Sequence, residues 1–370
     1  MFPASTKHII RRFVNPCFWA SPKNRFGGFD YLRAFFSIVV VALHANLFNF
    51  FVGKPRLNFI SDILNLNIGY LAVPIFLQVS LFLFCLKREQ AGHQYFVQKR
   101  LPKLLSLYLF WSISKLTFDF LFKEDSWTNS IKVQSLIDLA AFIIGGGNTI
   151  FYFFFSLLFL TLITELLILF FGNQKLSIDK LSISYYLLIG SSLLIFSFPL
   201  IDIIYGNEML TNVINPINFL PYIFTSIIVA QEFNSGKLEN LTSEYRLKII
   251  ALSLLFLFLA GLEWFIFKDA SHSRLFPHYS RLSLVVASWI FLYLALFSIQ
   301  QVPTPISFLA GCSLGIYGFH TFFLDYMSSF NSIPQIIPGM SILIKFMIAL
   351  LGSITLTIVF RKTKWLKNFV

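Results

Sequence analysis

Apolar runs of eighteen or more residues recur from Tyr31 to the end of this 370-residue chain. A helix needs about 20 apolar residues to cross the hydrocarbon of a bilayer, so each run is a candidate span. The gaps between runs seldom exceed about fifteen residues, too short for an independently folded soluble domain. Composition agrees, with 56% hydrophobic residues, 12% charged residues and a mean hydropathy of +0.74. Most soluble enzymes, DNA-binding proteins and secreted scaffolds are thereby excluded. A transmembrane β-barrel would alternate polar and apolar residues in segments of about ten, whereas the apolar residues of Ile150 to Phe171 fall on every face. The expected fold is all-α, a polytopic transmembrane helical bundle.

Ten spans are expected, at 31–52, 68–87, 104–122, 150–171, 183–203, 217–232, 247–268, 281–299, 306–326 and 337–360. The apolar piece Leu136 to Ile144 is too short to cross. Placing the N-terminus in the cytoplasm puts 19 of the 29 basic residues on that side, 7 on the other, and Arg33, Lys115 and Lys345 inside spans. That asymmetry obeys the positive-inside rule, so both termini are expected in the cytoplasm, with the protein in an inner or plasma membrane. The net charge of +12 is then explained by topology and calls for no nucleic acid. Residues 1–28 read as a basic cytoplasmic segment without a cleavable signal, 29–362 as the membrane domain, and 363–370 as a cytoplasmic tail. Cys17, Cys85 and Cys312 fall on the cytoplasmic side or within the membrane, where a disulfide framework is not expected. Metal-ligand spacings and phosphate loops are absent from the sequence, and Gly145-Gly146-Gly147 reads as a turn.

Ionisable groups inside spans carry the functional information, since a charge at the bilayer centre costs at least about 2.5 to 3.5 kcal/mol. Arg33 and His44 lie eleven residues apart on the first span. At ~100° and ~1.5 Å per residue they share one face to within about 20° and differ in height by about 16 Å. Ser37 and Val40 continue the stripe, with Arg33 at the cytoplasmic mouth and His44 somewhat beyond the midplane. Spacing alone leaves two readings open: a snorkelling arginine with a packing histidine, or a functional stripe.

The segment Phe29 to Ala45 resembles the first membrane helix of the acyltransferase family 3 of integral membrane carbohydrate O-acyltransferases, whose hallmark is an arginine and a histidine separated by ten residues. Val73-Pro74-Ile75-Phe76-Leu77-Gln78-Val79-Ser80 is similar to the family's second helix, and Phe96 to Leu104 to its basic lead-in to the third. Leu314-Gly315-Ile316-Tyr317-Gly318-Phe319-His320-Thr321 resembles its S-x-G-I-Y-x-x-H stretch. Departures occur at Ser80-Leu81, where the family has S-G, and at Thr149 to Phe153, where it often has H-L-W-F-L. The resemblance implies transfer of an acyl group, most often acetyl, from cytoplasmic acyl-CoA to a hydroxyl of an extracytoplasmic or lipid-linked carbohydrate. Acyl-CoA is then a co-substrate, and no cofactor is held permanently. Arg33, with Arg100 beside Lys99 and Lys103, would hold CoA phosphates. His44 would act as general base or acyl carrier.

Depth along the spans adds Lys115, Asp119, Glu263, His320 and Lys345 as groups in the outer half. Lys115 and Asp119, one helical turn apart, form the obvious mutual pair. Glu263 beside Trp264 reads either as a sugar-binding pair or as an interfacial tryptophan with a structural acid. Two other classes share this hydropathy. A transporter or flippase would show repeats with interrupted helices. A glycan polymerase would place large loops and several arginines outside.

Overall fold

The computed structural model describes residues 26–51, 58–122, 135–147, 150–172, 180–205, 210–269, 276–298, 301–329 and 340–370. Among the described residues there is no strand. The helices that carry the architecture are α1 (Gly27–His44), α2 (Tyr70–Ala91), α3 (Leu101–Phe122), α4 (Leu136–Ile144), α5 (Tyr152–Gly172), α6 (Lys180–Tyr205), α7 (Pro221–Asn234), α8 (Ser243–Asp269), α9 (Leu282–Phe297), α10 (Thr304–Ser329) and α11 (Met340–Lys362). A helix stands at each of the ten expected spans, and the short piece Leu136–Ile144 is α4. Cys17 and almost all of the expected segment 1–28 lie outside the described residues, while Cys85 and Cys312 are buried free thiols.

Among the described residues, eight helical stretches are long and apolar enough to cross a membrane. The expected sixth and eighth spans, α7 and α9, have only 14 and 16 residues. Proline and glycine set the limits of α7. It is entered through a 3-10 turn, Pro216–Phe219, where the Asn215 side chain accepts the Ile217 N–H at 3.1 Å, and it is left through Gly236 at φ +76°. Most of the side chains of α7 and α9 are buried. Neighbouring helices rather than lipid surround them, so the length rule for a lipid-exposed span does not bind. The outer helix α8 shows the opposite pattern, with Leu254, Phe258 and Phe265 at 63%, 65% and 80% exposure. Such apolar outward faces are what a multi-pass membrane protein presents to acyl chains.

Helix α2 packs against α1, α5, α7 and α9, and α1 packs on α10 as well as on α9 and α11. Small residues permit close approaches along α10. Gly311 and Gly315, one turn apart on α10, face Arg361 and Thr357 of α11, and Gly318 lies against the Trp111 ring of α3. In hydrocarbon, where burial gives helices no advantage over lipid tails, such small-residue seams let backbones pack closely. Beyond α11 the chain turns back, and the end of the expected tail 363–370 packs on α3 while most of the segment stays exposed. Phe369 stacks on Phe110 at 4.1 Å, and its carbonyl accepts the Trp111 indole N–H at 3.2 Å.

A Cβ at Gly315 would collide with the Thr357 hydroxyl, whereas one at Gly190 on α6 meets nothing within 4 Å. Gly315→Leu should therefore cost about 1 to 3 kcal/mol through overpacking, read as a lower thermal midpoint in detergent. Gly190→Ala should leave the midpoint unchanged or raise it, because alanine is the better helix former. Equal midpoints for the two variants would contradict this packing account.

Candidate active site

Helix α1 stops where the backbone reverses. The Ala45 N–H still reaches Val41 O at 2.8 Å, but Asn46 takes φ +57°, a left-handed conformation that asparagine tolerates, and a 3-10 turn Leu47–Phe51 follows. His44 is therefore the last residue of α1, where a helix running on to residue 52 was expected. Val41, Ala42 and Ala45 around it are buried, whereas His44 itself is solvent-accessible beside the buried ring of His320.

The second histidine comes from α10. His320 is fully buried, with Nδ1 3.0 Å from the carbonyl of Ile316 one turn back, and Nε2 without a hydrogen-bond partner. Its ring centroid lies 5.2 Å from that of His44 and 6.0 Å from that of Tyr317. The Tyr317 hydroxyl donates to Ile150 O at 2.6 Å, which ties this part of α10 to the start of α5. Around the pair stands a charged group. Lys115 bonds Asp119, as the spacing led one to expect, and also meets Asp325 of α10 at 2.8 Å. Asp325 lies within electrostatic range of both histidines. Lys345 is half-buried on α11, and its neighbour Phe346 packs with Val41, Ala42 and Ile316, which places Lys345 near the same level.

Around Arg33, in the first half of α1, basic side chains from α2, from the turn Phe96–Arg100 and from α3 converge. Lys87 on α2 is in Coulombic range of Arg33, Lys99, Arg100 and Lys103, and Lys103 is in range of Arg33 and Arg100. Arg100 donates to the Ser80 hydroxyl at 2.7 Å and lies 5.8 Å from the Phe84 ring centroid. Ser80 keeps the serine of the second-helix motif, and here it steers a guanidinium. Several cations at one mouth repel one another, so the arrangement favours a polyanion.

Glu263 stands apart from the histidine pair. It is fully buried and accepts from Arg281 Nε at 3.0 Å, from the Ser283 N–H at 2.8 Å and from the Ser283 hydroxyl at 2.5 Å. Arg281 completes the lock by donating to Leu66 O and Asn67 Oδ1, each at 2.6 Å. Trp264 packs edge-on against Phe59 at 6.2 Å and beside Phe276 at 5.9 Å. Of the two readings of this pair, the geometry supplies the structural one. Sequence reasoning missed Asp325, although it lies in the ninth expected span and satisfies the same test that selected Lys115. It also missed Arg281, counted as an outer-loop charge, and His278, whose ring lies tilted against that of Tyr70 at 4.6 Å. Burial first, and the Arg281 charge second, hold the His278 pKa below its ordinary value of 6.5. Among the described residues no group of three His, Cys, Asp or Glu side chains could hold a metal ion.

A family model described as an acyltransferase domain, Acyl_transf_3, matches residues 26–362. The chain belongs to this acyltransferase family. Comparisons with curated proteins and with solved structures returned no match. The matched stretch runs from the start of α1 to the end of α11, and so takes in both histidines, both arginines and the Lys115 cluster of this membrane acyltransferase.

Removing one partner of a buried ion pair strands the other, at about 3 to 5 kcal/mol. Glu263→Gln or Arg281→Met should each lower the yield of folded acyltransferase, while Glu263→Leu with Arg281→Met should recover much of it. Thermal unfolding followed by size-exclusion chromatography reads this out. Normal stability of both single variants would show that the pair does not hold α8 to α9.

Proposed function

We propose that this protein takes an acyl group, most simply acetyl, from acyl-CoA bound at the Arg33 mouth and transfers it to a hydroxyl of a carbohydrate or glycolipid at the His44 mouth. In this reading the Arg33 mouth faces the cytoplasm of an inner or plasma membrane, which agrees with the distribution of basic residues. The observation that carries it is the separation of two chemistries on one helix. Cations gather around Arg33 in the first half of α1, and a solvent-accessible histidine stands eleven residues on at its last position. The height between them is about 16 Å, a span that an extended pantetheine arm can run while its phosphates stay on the cations.

The reaction follows from that placement. Arg33 and Arg100 hold CoA phosphates by charge-assisted hydrogen bonds. The thioester carbonyl comes to rest beside His44. The acceptor oxygen attacks it as His44 takes the hydroxyl proton, the C–O bond forms, the C–S bond breaks, and the proton passes on to the leaving thiolate. Products are an ester and free CoA. Lys115, Asp119, Asp325 and Lys345 offer hydrogen-bonding groups to the other hydroxyls of a sugar. Acyl-CoA is a co-substrate that comes and goes.

His44→Ala should lower transfer by roughly 10² to 10⁴-fold in protein that remains folded, since the ring is exposed and supports little packing. Activity within a factor of a few of the unsubstituted protein would remove His44 from the chemistry. Arg33→Ala should raise the KM for acetyl-CoA, and Arg33→Lys should recover it only in part, because an ammonium replaces a planar fork. An unchanged KM would contradict the phosphate role.

A further inference from the structure

The His44–His320 pair has an internal chemistry that the bond to Ile316 determines. A carbonyl oxygen only accepts, so the 3.0 Å contact with Ile316 O requires a proton on His320 Nδ1. In a neutral imidazole the other nitrogen is then a bare lone pair. That nitrogen, Nε2, is buried and has no hydrogen-bond partner. The nearest ring is that of His44, with centroids 5.2 Å apart and planes tilted by 39°. At this separation two imidazole nitrogens turned toward each other come within hydrogen-bond distance. His44 is exposed at the mouth, so its ring has room to turn.

We propose that His320 is a positioning residue, whose Nε2 lone pair accepts the N–H of His44 and fixes the tautomer that leaves the other His44 nitrogen free for the acceptor hydroxyl. The inference rests on the acyl-transfer reading above and deepens it. When His44 takes the hydroxyl proton its ring becomes an imidazolium, with both nitrogens protonated. One N–H remains on the His320 lone pair, and the other holds the proton destined for the thiolate. No proton leaves the pair toward His320, whose Nδ1 proton stays on Ile316 O. Burial keeps water from competing for the lone pair, and the α10 backbone aims it. A neutral acceptor thus fulfils the orienting task that a carboxylate performs in other histidine-based sites.

Two measurements test this, one of which needs no turnover. In nanodiscs containing ¹⁵N-histidine protein, the His320 ring should show the Nδ1–H tautomer. Its Nε2 resonance should move toward that of an unpaired nitrogen in His44→Ala, a variant at an exposed position. A Nε2–H tautomer for His320, or a resonance that ignores His44→Ala, would overturn the pairing. In the activity arm, His320→Leu should lower kcat roughly 100-fold with the KM for acetyl-CoA unchanged. His320→Gln, whose amide oxygen can stand in for the lone pair, should recover most of the loss. Equal kcat for the leucine and glutamine variants, or a rise in KM in place of the fall in kcat, would overturn the positioning role. Should the unsubstituted protein transfer no acyl group, the proposed function fails, while the ¹⁵N measurement still decides the histidine pairing.

Discussion

A polar or charged group in hydrocarbon needs a partner, and the interior of this bundle is organised around that requirement. Glu263 is held by Arg281 and Ser283, Glu165 by Arg88 at 2.7 Å, and Glu232 by Lys248 and the Tyr293 hydroxyl, each at 2.5 Å. Lys248 is further enclosed by the rings of Tyr185, Tyr245, Trp289 and Tyr293. Each of these links ties one helix of the bundle to another. Several buried polar atoms lack a hydrogen-bond partner, the ring Nε2 of His320 among them, and basic groups gather around Lys87 and Arg33. Functional sites are where such local rules are most often broken.

The same packing that satisfies the interior also positions the site. α1 carries Arg33 and His44, and it lies against α10, which carries His320 and Asp325. α10 is in turn braced by α11 through Gly311 and Gly315, and by Trp111 of α3 against Gly318. Trp111 also receives the returning C-terminal segment through Phe369. A shift of α10 along this seam would move His320 relative to His44, so the geometry of the pair depends on residues that never touch a substrate.

Much of this was legible in the amino-acid sequence because lipid imposes simple rules. Apolar runs marked a helix at each of the ten expected spans, and a helical turn between Lys115 and Asp119 marked a pair that the structure contains. The eleven-residue interval from Arg33 to His44, and the His320 motif, marked side chains on two helices that prove to be neighbours. What stayed hidden is tertiary. Arg281 lies eighteen positions beyond Glu263, and nothing in that interval reveals that a chain reversal brings the guanidinium back to the acid. The end of α1 was misplaced because an apolar run continues to Phe51, while a left-handed Asn46 breaks the helix within it. The return of Phe369 to Trp111 depends on aromatic contacts with α3 that a basic, mixed tail does not advertise.

Central to the account is a donor that enters at one mouth and is felt at the other. In oriented membrane vesicles bearing His44→Cys, with the native cysteines replaced by serine, an impermeant thiol reagent applied at the His44 face reports on that position. Acetyl-CoA supplied only at the Arg33 face should slow the labelling, because the acyl end of its arm reaches about 16 Å along α1. Labelling that is unaffected by acetyl-CoA at the Arg33 face, or slowed only when acetyl-CoA is added on the same face as the reagent, would contradict it.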